Sequence, residues 1–290
     1  MTGPTHLNVL SLTTVRLELI SQVPEQSLPS ATGFFCKYNG KVFLVTNHHV
    51  VSGINCPTGE LLDQQYGRVP GRLEFDAWLG SIDCDGIDVG AQTERMIKFR
   101  FSVNLYNSGY PTWIEHPVHG ASADVVAIQL TEKTLTTVLA ENVSSPEMDY
   151  VEKIGSMVYF NLSQHMEANK FTVTDQVVIV GYPLLASESL TQFPIYKSGF
   201  VASEPDDPSD SRFYIDAKTK PGMSGSPVTM ANLVASYNNS LDRGPTEQTT
   251  TLLGVYSGRN EQRKEEYEAE LGIVWPIKEY LLPILDRVDS

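Results

Sequence analysis

The stretch FFCKYNGKVFLVTNHHVV, residues 34–51, decides the fold class of this chain. β-Branched and aromatic residues fill both of its halves, and Asn39-Gly40 lies between them. An Asn-Gly pair flanked by such runs is the strongest short signal for a two-residue hairpin turn, because both turn positions require a positive φ. The stretch therefore predicts two antiparallel strands, the second of which runs into His48 and His49.

The same strand pattern recurs along the chain. Further runs of β-branched and aromatic residues, bounded by Gly, Pro, Asn or Asp, lie at residues 14–20, 125–130, 176–180, 213–216 and 252–256. Helical patterns are sparse and occur at residues 131–141 and 276–287, the latter predicting a terminal helix. Regularly spaced strands with little helix indicate an all-β barrel or sandwich.

Composition and charge exclude several function classes. The 290 residues are 41% hydrophobic and 19% charged, which is ordinary for a globular chain of one large or two modest domains. The formal net charge of -14 argues against a nucleic-acid or membrane partner, since both require a basic face. The N-terminal residues do not resemble a signal peptide, and no apolar run approaches the roughly 20 residues of a membrane span. We therefore expect a cytoplasmic protein.

Cysteines and acidic residues give no metal-binding pattern. Cys36, Cys56 and Cys84 form neither a disulfide framework nor a CxxC site, although a single bridge among them stays open. The run DCDGIDVG at residues 83–90 invites a calcium interpretation, but its sixth position is Asp88, where a calcium loop requires glycine. We expect no metal and no cofactor.

The run KPGMSGSPV, residues 220–228, places Ser224 between two glycines. Small residues and proline are typical of tight turns, so the run has a purely structural interpretation. It also suits a nucleophile, whose loop amides at Gly222 and Ser224 would hold a developing oxyanion. An activated serine further requires a base within hydrogen-bond reach and an acid that orients this base.

The chain offers one candidate for each of these partners. His49 ends an apolar strand, and Asp124 opens the run DVVAIQL. Taken singly, the histidine is more simply a core or surface residue, and the aspartate a cap or turn residue. Their order with Ser224, however, is that of the chymotrypsin-like enzymes and differs from the subtilisin and α/β-hydrolase orders. The hydrolase elbow G-x-S-x-G also fails, because residue 226 is serine.

Several segments resemble those of the trypsin-like serine peptidases, particularly the HtrA-like and staphylococcal glutamyl endopeptidase branches. FLVTNHHVV resembles the segment around the catalytic histidine and selects His49 over His48. ADVVAIQL resembles the segment of the catalytic aspartate and selects Asp124, and YIDAKTKPGMSGSPV resembles the nucleophile loop with Ser224. VIVGYP, IYKSGFVAS, LLGVYSG and GIVWPI resemble further segments of the family, in register.

The resemblance covers residues 12–285 in order, with poor matching in 53–120 and 131–172. It implies two six-stranded antiparallel β-barrels with a short C-terminal helix. The first barrel would span residues 1–145, carry the histidine and the aspartate, and contain an insertion at about 53–120. A connection at 146–172 would lead to the second barrel, residues 173–290, which would carry the serine and the terminal helix.

The resemblance also implies an activity, that of a serine endopeptidase acting on proteins through an acyl-enzyme. Ser224 would attack the scissile carbonyl, His49 would remove its proton, and Asp124 would hold the imidazole. The amides of Gly222 and Ser224 would form the oxyanion hole. The alternatives are a catalytically inactive relative that serves as a binding or scaffold module and, more distantly, a cysteine hydrolase, for which the nucleophile loop holds no cysteine.

Two departures from the family bear on regulation. Met223 stands where digestive trypsin-like enzymes carry an aspartate that pairs with a newly formed N-terminus, so we expect no activation by that route. The chain ends soon after the predicted terminal helix, so we expect no PDZ domain. A cytoplasmic peptidase of broad activity would be hazardous, and we expect tight substrate selection or an activating protein partner, with residues 53–120 covering the cleft or binding that partner.

The specificity pocket differs from that of trypsin. Lys218, six residues before the nucleophile candidate, stands where trypsin carries an acid. Thr219 matches a threonine of the glutamyl enzymes, and Tyr256 replaces their pocket histidine. Lys218 or Arg259 would then supply positive charge. These residues predict a preference for an acidic or small polar side chain before the scissile bond.

Overall fold

The computed structural model describes residues 8–79, 97–138, 150–155, 157–162, 171–184, 192–234, 247–259 and 271–288. Helices within these ranges are short: α1 (Leu10–Thr13), α2 (His48–Ser52), α3 (Tyr150–Gly155) and α4 (Leu282–Asp286). Strands make up most of the remaining structure and fall into an N-terminal and a C-terminal group.

The N-terminal group is one strongly curled sheet with a small separate hairpin. Its strands are β1 (Thr14–Ser21), β2 (Ser27–Tyr38), β3 (Lys41–Thr46), β4 (Pro70–Leu79), β5 (Ile97–Asn104), β6 (Tyr106–Asn107), β7 (Tyr110–Pro111), β8 (Val126–Gln129), β9 (Leu135–Val138) and β10 (Phe160–Asn161). The sheet runs in the order β8-β3-β2-β1-β4-β5-β9, and β10 pairs in parallel with β2. β6 and β7 pair only with each other.

The C-terminal group is a closed barrel. Its strands are β11 (Gln176–Gly181), β12 (Ile195–Val201), β13 (Phe213–Asp216), β14 (Pro227–Val234), β15 (Glu247–Arg259) and β16 (Leu271–Pro276). They close in the order β11-β12-β13-β16-β15-β14. The predicted all-β class and chymotrypsin-like double barrel are confirmed, with the difference that the N-terminal member is a curled half-barrel across the described residues.

The Asn-Gly hairpin is confirmed in detail. Asn39 and Gly40 have φ values of 46° and 75°, as a two-residue hairpin turn requires. Tyr38 pairs with Lys41 directly beside the turn, which fixes the register of β2 against β3. As a result β3 delivers its C-terminal end, and the histidines that follow it, to the border of the sheet next to β8.

The segment 53–120, for which we expected an insertion, supplies β4 and β5 to the sheet. In β4, Leu73 and Phe75 are buried and alternate with Arg72 and Glu74, which are half-buried and paired with each other at 3.2 Å. This alternation with a period of two is the signature of a strand with one face in the core. The alternation is visible in the sequence GRLEFDAWL, residues 71–79, and is the local pattern that indicates a strand there.

One helix prediction is wrong and one is confirmed. In the range 131–141, residues 131–134 form a turn and β9 follows, because its β-branched residues pack well as a strand against β5; residues 139–141 lie outside the described ranges. The terminal helix begins as a wide π-helical turn, Ile277–Leu281, and continues as α4. Pro283 lies in the first turn of α4, directly after the π-helical turn.

Three apolar clusters hold the molecule together. One fills the curled sheet and one fills the closed barrel. The third lies between them and combines Phe34 and Phe43 of the first sheet with Val255 and Trp275 of the barrel and Leu285 of α4. The terminal helix therefore seals the junction of the two barrels, where the ends of β3 and β8 face the loop before β14.

Two of the three cysteines lie in the described ranges. Cys36 is a buried free thiol and Cys56 a half-buried one, whereas Cys84 and the rest of the run at 83–90 lie outside the described residues. In the described ranges, no three His, Cys, Asp or Glu side chains are grouped as metal ligands. Those ranges also hold no helix long and apolar enough to cross a membrane.

Candidate functional site

His49 and Asp124 are brought together by the pairing of β3 with β8. Thr46 at the end of β3 pairs with Val126 at the start of β8, so the residues flanking these strand ends are neighbours. The Nδ1 atom of His49 lies 2.7 Å from Oδ2 of Asp124, and the backbone N–H of His49 donates to Oδ1 at 2.9 Å. Asn47 also holds the aspartate, because its Nδ2 donates to the backbone carbonyl of Asp124 at 2.6 Å.

Burial and mutual charge act against each other in this pair. Burial by itself would lower the pKa of His49, but the charge of Asp124 and its hydrogen bond outweigh this effect and raise the pKa above 6.5. Burial would raise the pKa of Asp124, and the charge and hydrogen bonds of His49 lower it. Because Nδ1–H donates to the carboxylate, the lone pair of the neutral imidazole lies on Nε2. The pair therefore has the form of an oriented base.

Ser224 lies in a tight turn that ends at β14. Gly222 and Gly225 have φ values of 91° and 84°, which favour glycine. A Cβ atom on Gly225 would lie 2.1 Å from the carbonyl oxygen of Thr32 and 2.3 Å from Oγ1 of Thr46. The glycine therefore allows the nucleophile loop to approach the first sheet more closely than any other residue would.

Two backbone amides in this turn are free. The N–H groups of Met223, Gly225 and Ser226 donate to carbonyls within or beside the loop. In contrast, the N–H groups of Gly222 and Ser224 find no acceptor anywhere in the described part of the chain. Gly222 is buried and Ser224 is half-buried, and amides in such positions are rarely without a partner, so these two are donors available to a ligand oxygen.

Ser257 joins the serine loop to the aspartate. Its Oγ donates to Oδ2 of Asp124 at 2.7 Å, and its carbonyl oxygen accepts a hydrogen bond from Oγ of Ser224 at 3.3 Å. Within the described residues Ser224 makes no hydrogen bond to His49, because its hydroxyl is directed at this carbonyl. The motif LLGVYSG contains residues 252–258, but its local pattern does not mark Ser257 as a site residue, and sequence reasoning missed it.

The sequence matches the trypsin-like peptidase domain over residues 31–232, more than half of the chain and a range that includes His49, Asp124 and Ser224. The chain belongs to this family. No curated protein matches it. The family assignment agrees with the confirmed double barrel, in which the first sheet carries the histidine and the aspartate and the second carries the serine.

Solved structures of peptidases are similar to this trypsin-like domain. The active form of the Rv3671c protease from M. tuberculosis is 15% identical and has a TM-score of 0.41. The alignment covers 95% of this chain and 82% of the Rv3671c chain. An inactive form of a mutant of the same protease is 16% identical with a TM-score of 0.41, covering 99% and 96% of the two chains. The thermostable serine protease AL20, from an extremophilic microorganism, is 10% identical with a TM-score of 0.49, covering 96% and 99%.

The pocket residues predicted for the peptidase domain have different surroundings. Thr219 and Tyr256 are both buried, and their hydroxyl oxygens lie 2.5 Å apart. Lys218 is exposed, and the side chain of Arg259 lies outside the described residues. Met223 is fully buried among the apolar side chains of the closed barrel. The structure thus joins two of the four predicted pocket side chains.

Thr32 is a second residue that sequence reasoning missed. It is fully buried in β2, and its Oγ1 donates to the carbonyl of Gly222 at 2.8 Å while accepting from the N–H of Tyr182 at 2.9 Å. Its own N–H donates to the carbonyl of Ser224 at 2.9 Å. A residue of the first sheet therefore holds the turn that carries the free amides. No local pattern signals this role, because its partners are 150 or more residues away.

Proposed function

We propose that this chain is a serine endopeptidase that hydrolyses peptide bonds of protein substrates through an acyl-enzyme. In this proposal Ser224 is the nucleophile, His49 the general base, and Asp124 the acid that orients the imidazole. The free amides of Gly222 and Ser224 form the oxyanion hole. The peptidase family and the geometry of the site support these roles.

A single observation carries the proposal, namely the position of Ser257 between the two halves of the site. One residue contacts both Asp124 and Ser224, at 2.7 Å and 3.3 Å, so nucleophile and acid converge although they lie on different barrels. Asp124 in turn holds His49 at 2.7 Å. A buried ionised carboxylate, an oriented imidazole and a serine beside free amides are the groups that acyl transfer requires.

The reaction requires one rearrangement of the free site. In this proposal the Ser224 hydroxyl turns from the carbonyl of Ser257 toward Nε2 of His49 by a change of χ1 when substrate binds. Its oxygen then bonds the scissile carbonyl carbon as its proton passes to Nε2, and this proton later leaves with the amine. Water repeats the sequence on the ester and releases the acid. Each oxyanion donor contributes a factor of about 10² to 10³ to the rate.

A fluorophosphonate probe tests this function, because it labels only an activated serine. The wild-type chain is expected to be labelled, and Ser224→Ala to lose the label while keeping the same circular dichroism and thermal transition. Labelling that persists in Ser224→Ala would place the nucleophile elsewhere. A folded wild-type chain that is never labelled would instead indicate a binding or scaffold module.

We further propose that the residue before the scissile bond is acidic or small and polar. Support comes from the resemblance of Thr219 to the threonine of the glutamyl enzymes and from its buried hydroxyl pair with Tyr256, which would place a polar group at the base of the pocket. Tyr256→Phe removes one hydroxyl and keeps the ring. It is expected to lower kcat/KM for a glutamate peptide about tenfold or more relative to an alanine peptide. Cleavage mainly after arginine or lysine in a peptide library would refute this specificity.

The narrower family branch and the regulation also remain proposals. The motifs FLVTNHHVV and GMSGSPV support a position near the HtrA-like and staphylococcal glutamyl endopeptidases. We propose a cytoplasmic enzyme that acts on few substrates or awaits an activating protein. Since β4 and β5 have a structural role in the sheet, this proposal rests on the hazard of an unrestrained peptidase alone. Vigorous cleavage of unrelated unfolded proteins by the isolated chain would contradict it.

A further inference from the structure

The thiol of Cys56 lies beside the proposed catalytic acid. Its Sγ is 3.2 Å from Oδ1 of Asp124, whereas Ser257 bonds the other carboxylate oxygen, Oδ2. A compact loop after α2 holds it there, closed by hydrogen bonds from Asn55 N–H to the carbonyl of Glu60 at 2.8 Å and from Gly59 N–H to the carbonyl of Asn55 at 2.7 Å. The cysteine is therefore positioned by its own loop.

The thiol is the donor in this contact. An ionised carboxylate can only accept hydrogen bonds, so the proton has to lie on sulfur. Burial raises the pKa of Cys56, and the negative charge of Asp124 raises it further. A thiol that stays protonated is a poor nucleophile, so Cys56 is unsuited to nucleophilic catalysis and suited to the role of a hydrogen-bond donor.

A second buried histidine lies behind the thiol and does not compete for its proton. The Nε2 atom of His48 lies 3.2 Å from Oε1 of Glu115, so this nitrogen carries the hydrogen. Its Nδ1 faces Oγ of Ser52 at 3.3 Å and Sγ of Cys56 at 3.5 Å. Ser52 satisfies Nδ1, and a charged acceptor is preferred over a neutral one, so the thiol proton belongs to Asp124.

We propose that Cys56 is a positioning residue of the peptidase site, whose S–H bond to Asp124 fixes the carboxylate and moderates its attraction for the imidazole of His49. This inference rests on the proposed function. The titratable groups that face the carboxylate are His49 and Cys56, and Ser257 adds a neutral donor. Behind the thiol stand His48 and, beyond it, Glu115.

The expected effect of Cys56→Ala follows from the loss of one donor. A carboxylate with fewer donors attracts the imidazolium more strongly, so the pKa of His49 rises, by about 0.5 unit for one weak hydrogen bond. The acid limb of kcat/KM moves to higher pH by the same amount. At pH values below the pKa of His49, kcat/KM of Cys56→Ala is therefore expected to be about threefold lower than that of the wild type. At pH values well above this pKa, the two should differ little. Cys56→Ser keeps a donor and is expected to behave like the wild type.

An NMR titration of His49 measures this shift directly, with its ring signal assigned by loss in His49→Gln. The pH profile of kcat/KM is recorded in parallel for the wild type, Cys56→Ala, Cys56→Ser and Thr58→Ala. Thr58→Ala is the matched control, since it alters the same loop through the N–H of Glu60 without touching Asp124. An upward shift in Cys56→Ala alone supports the proposal.

Other outcomes overturn it and can be told apart from a failure of the proposed function. If Cys56→Ala and Cys56→Ser both lose activity with no change in the pKa of His49, the thiol only fills space. If the control shifts as much as Cys56→Ala, the loop and not the thiol is responsible. If the wild type has no peptidase activity but the pKa of His49 is still higher in Cys56→Ala than in the wild type, the proposed function is refuted and the contact between the thiol and Asp124 is supported.

Discussion

At the scale of single residues, the site is organised around one carboxylate. Asp124 accepts hydrogen bonds from the N–H and Nδ1 of His49, from Ser257 and from Cys56. A buried carboxylate with this many donors stays ionised despite its desolvation. The charge that results is what keeps the neighbouring imidazole oriented and more basic than an isolated buried histidine.

The pH dependence of catalysis follows from this balance. The base is active only when neutral, so kcat/KM rises with pH through the pKa of His49, which is raised above 6.5. The midpoint of the acid limb is therefore expected above 6.5 in initial-rate measurements over a range of buffers. A midpoint below this value, or a flat profile, would contradict His49 as the base.

Asp124→Asn tests the same balance from the other side. The amide has one acceptor oxygen where the carboxylate has two, and its NH2 group can donate to Nδ1 and favour the wrong imidazole tautomer, so kcat is expected to drop by about 10⁴. KM should change little, because the carboxylate is not placed to contact substrate. Glu132→Gln, at an exposed position of the turn before β9, is the matched control and should retain wild-type rates.

At the scale of elements, the turn between β13 and β14 depends on close approach to the first sheet. Its glycines allow the backbone to bend with positive φ and to touch the backbone of β2 and the end of β3. The same contact holds the free amides in position. The close approach of the turn to the first sheet therefore serves both the packing of the two barrels and the proposed oxyanion hole.

Substitution of two glycines separates close approach from backbone strain. Gly225→Ala adds a Cβ that would lie 2.1 Å from the backbone of Thr32, and its φ is 84°. The loss of unfolding free energy is expected to be about 2–5 kcal/mol, with activity falling at least a hundredfold as the amides move. Gly40→Ala has φ 75° but meets no atom within 4 Å, so only about 1 kcal/mol should be lost and activity kept. Equal effects in denaturant titrations would remove close approach as the cause.

At the scale of the whole molecule, the site exists only where two sheets meet. The curled sheet supplies the base and the acid, the closed barrel supplies the serine and the amides, and the terminal helix seals their shared apolar cluster. Thr32 is one polar connection between them, since it bonds both the nucleophile turn and the start of the segment after β11.

Removing this connection should affect stability and catalysis together. Thr32→Val keeps the shape but leaves the carbonyl of Gly222 and the N–H of Tyr182 without their partner, at a cost of about 1–3 kcal/mol. Thermal unfolding should shift downward, and kcat should fall more than KM rises. Thr32→Ser retains the hydroxyl and should recover most of kcat. If Ser and Val variants were equally impaired, the methyl group and not the hydrogen bonds would be responsible.

Local patterns in the sequence determined the strands and the turns between them. The Asn-Gly hairpin and most β-branched runs became strands because their preference lies in a few consecutive residues. The wrong helix at 131–141 shows the limit of weak periodicity, where β-branched residues paired with β5. β4 was overlooked although its alternation was visible. The order of His49, Asp124 and Ser224 and the family motifs identified the candidate triad.

The tertiary structure alone decided which further groups support that triad. Cys56 meets Asp124 across 68 positions of the chain, Ser257 across 133, and Thr32 meets Gly222 across 190. Such contacts have no local signature, because a hydroxyl or thiol has the same propensity in the sequence whether it faces water or a buried carboxylate. The sequence thus determined which residues could react, and the packing of two barrels decided what holds them in place.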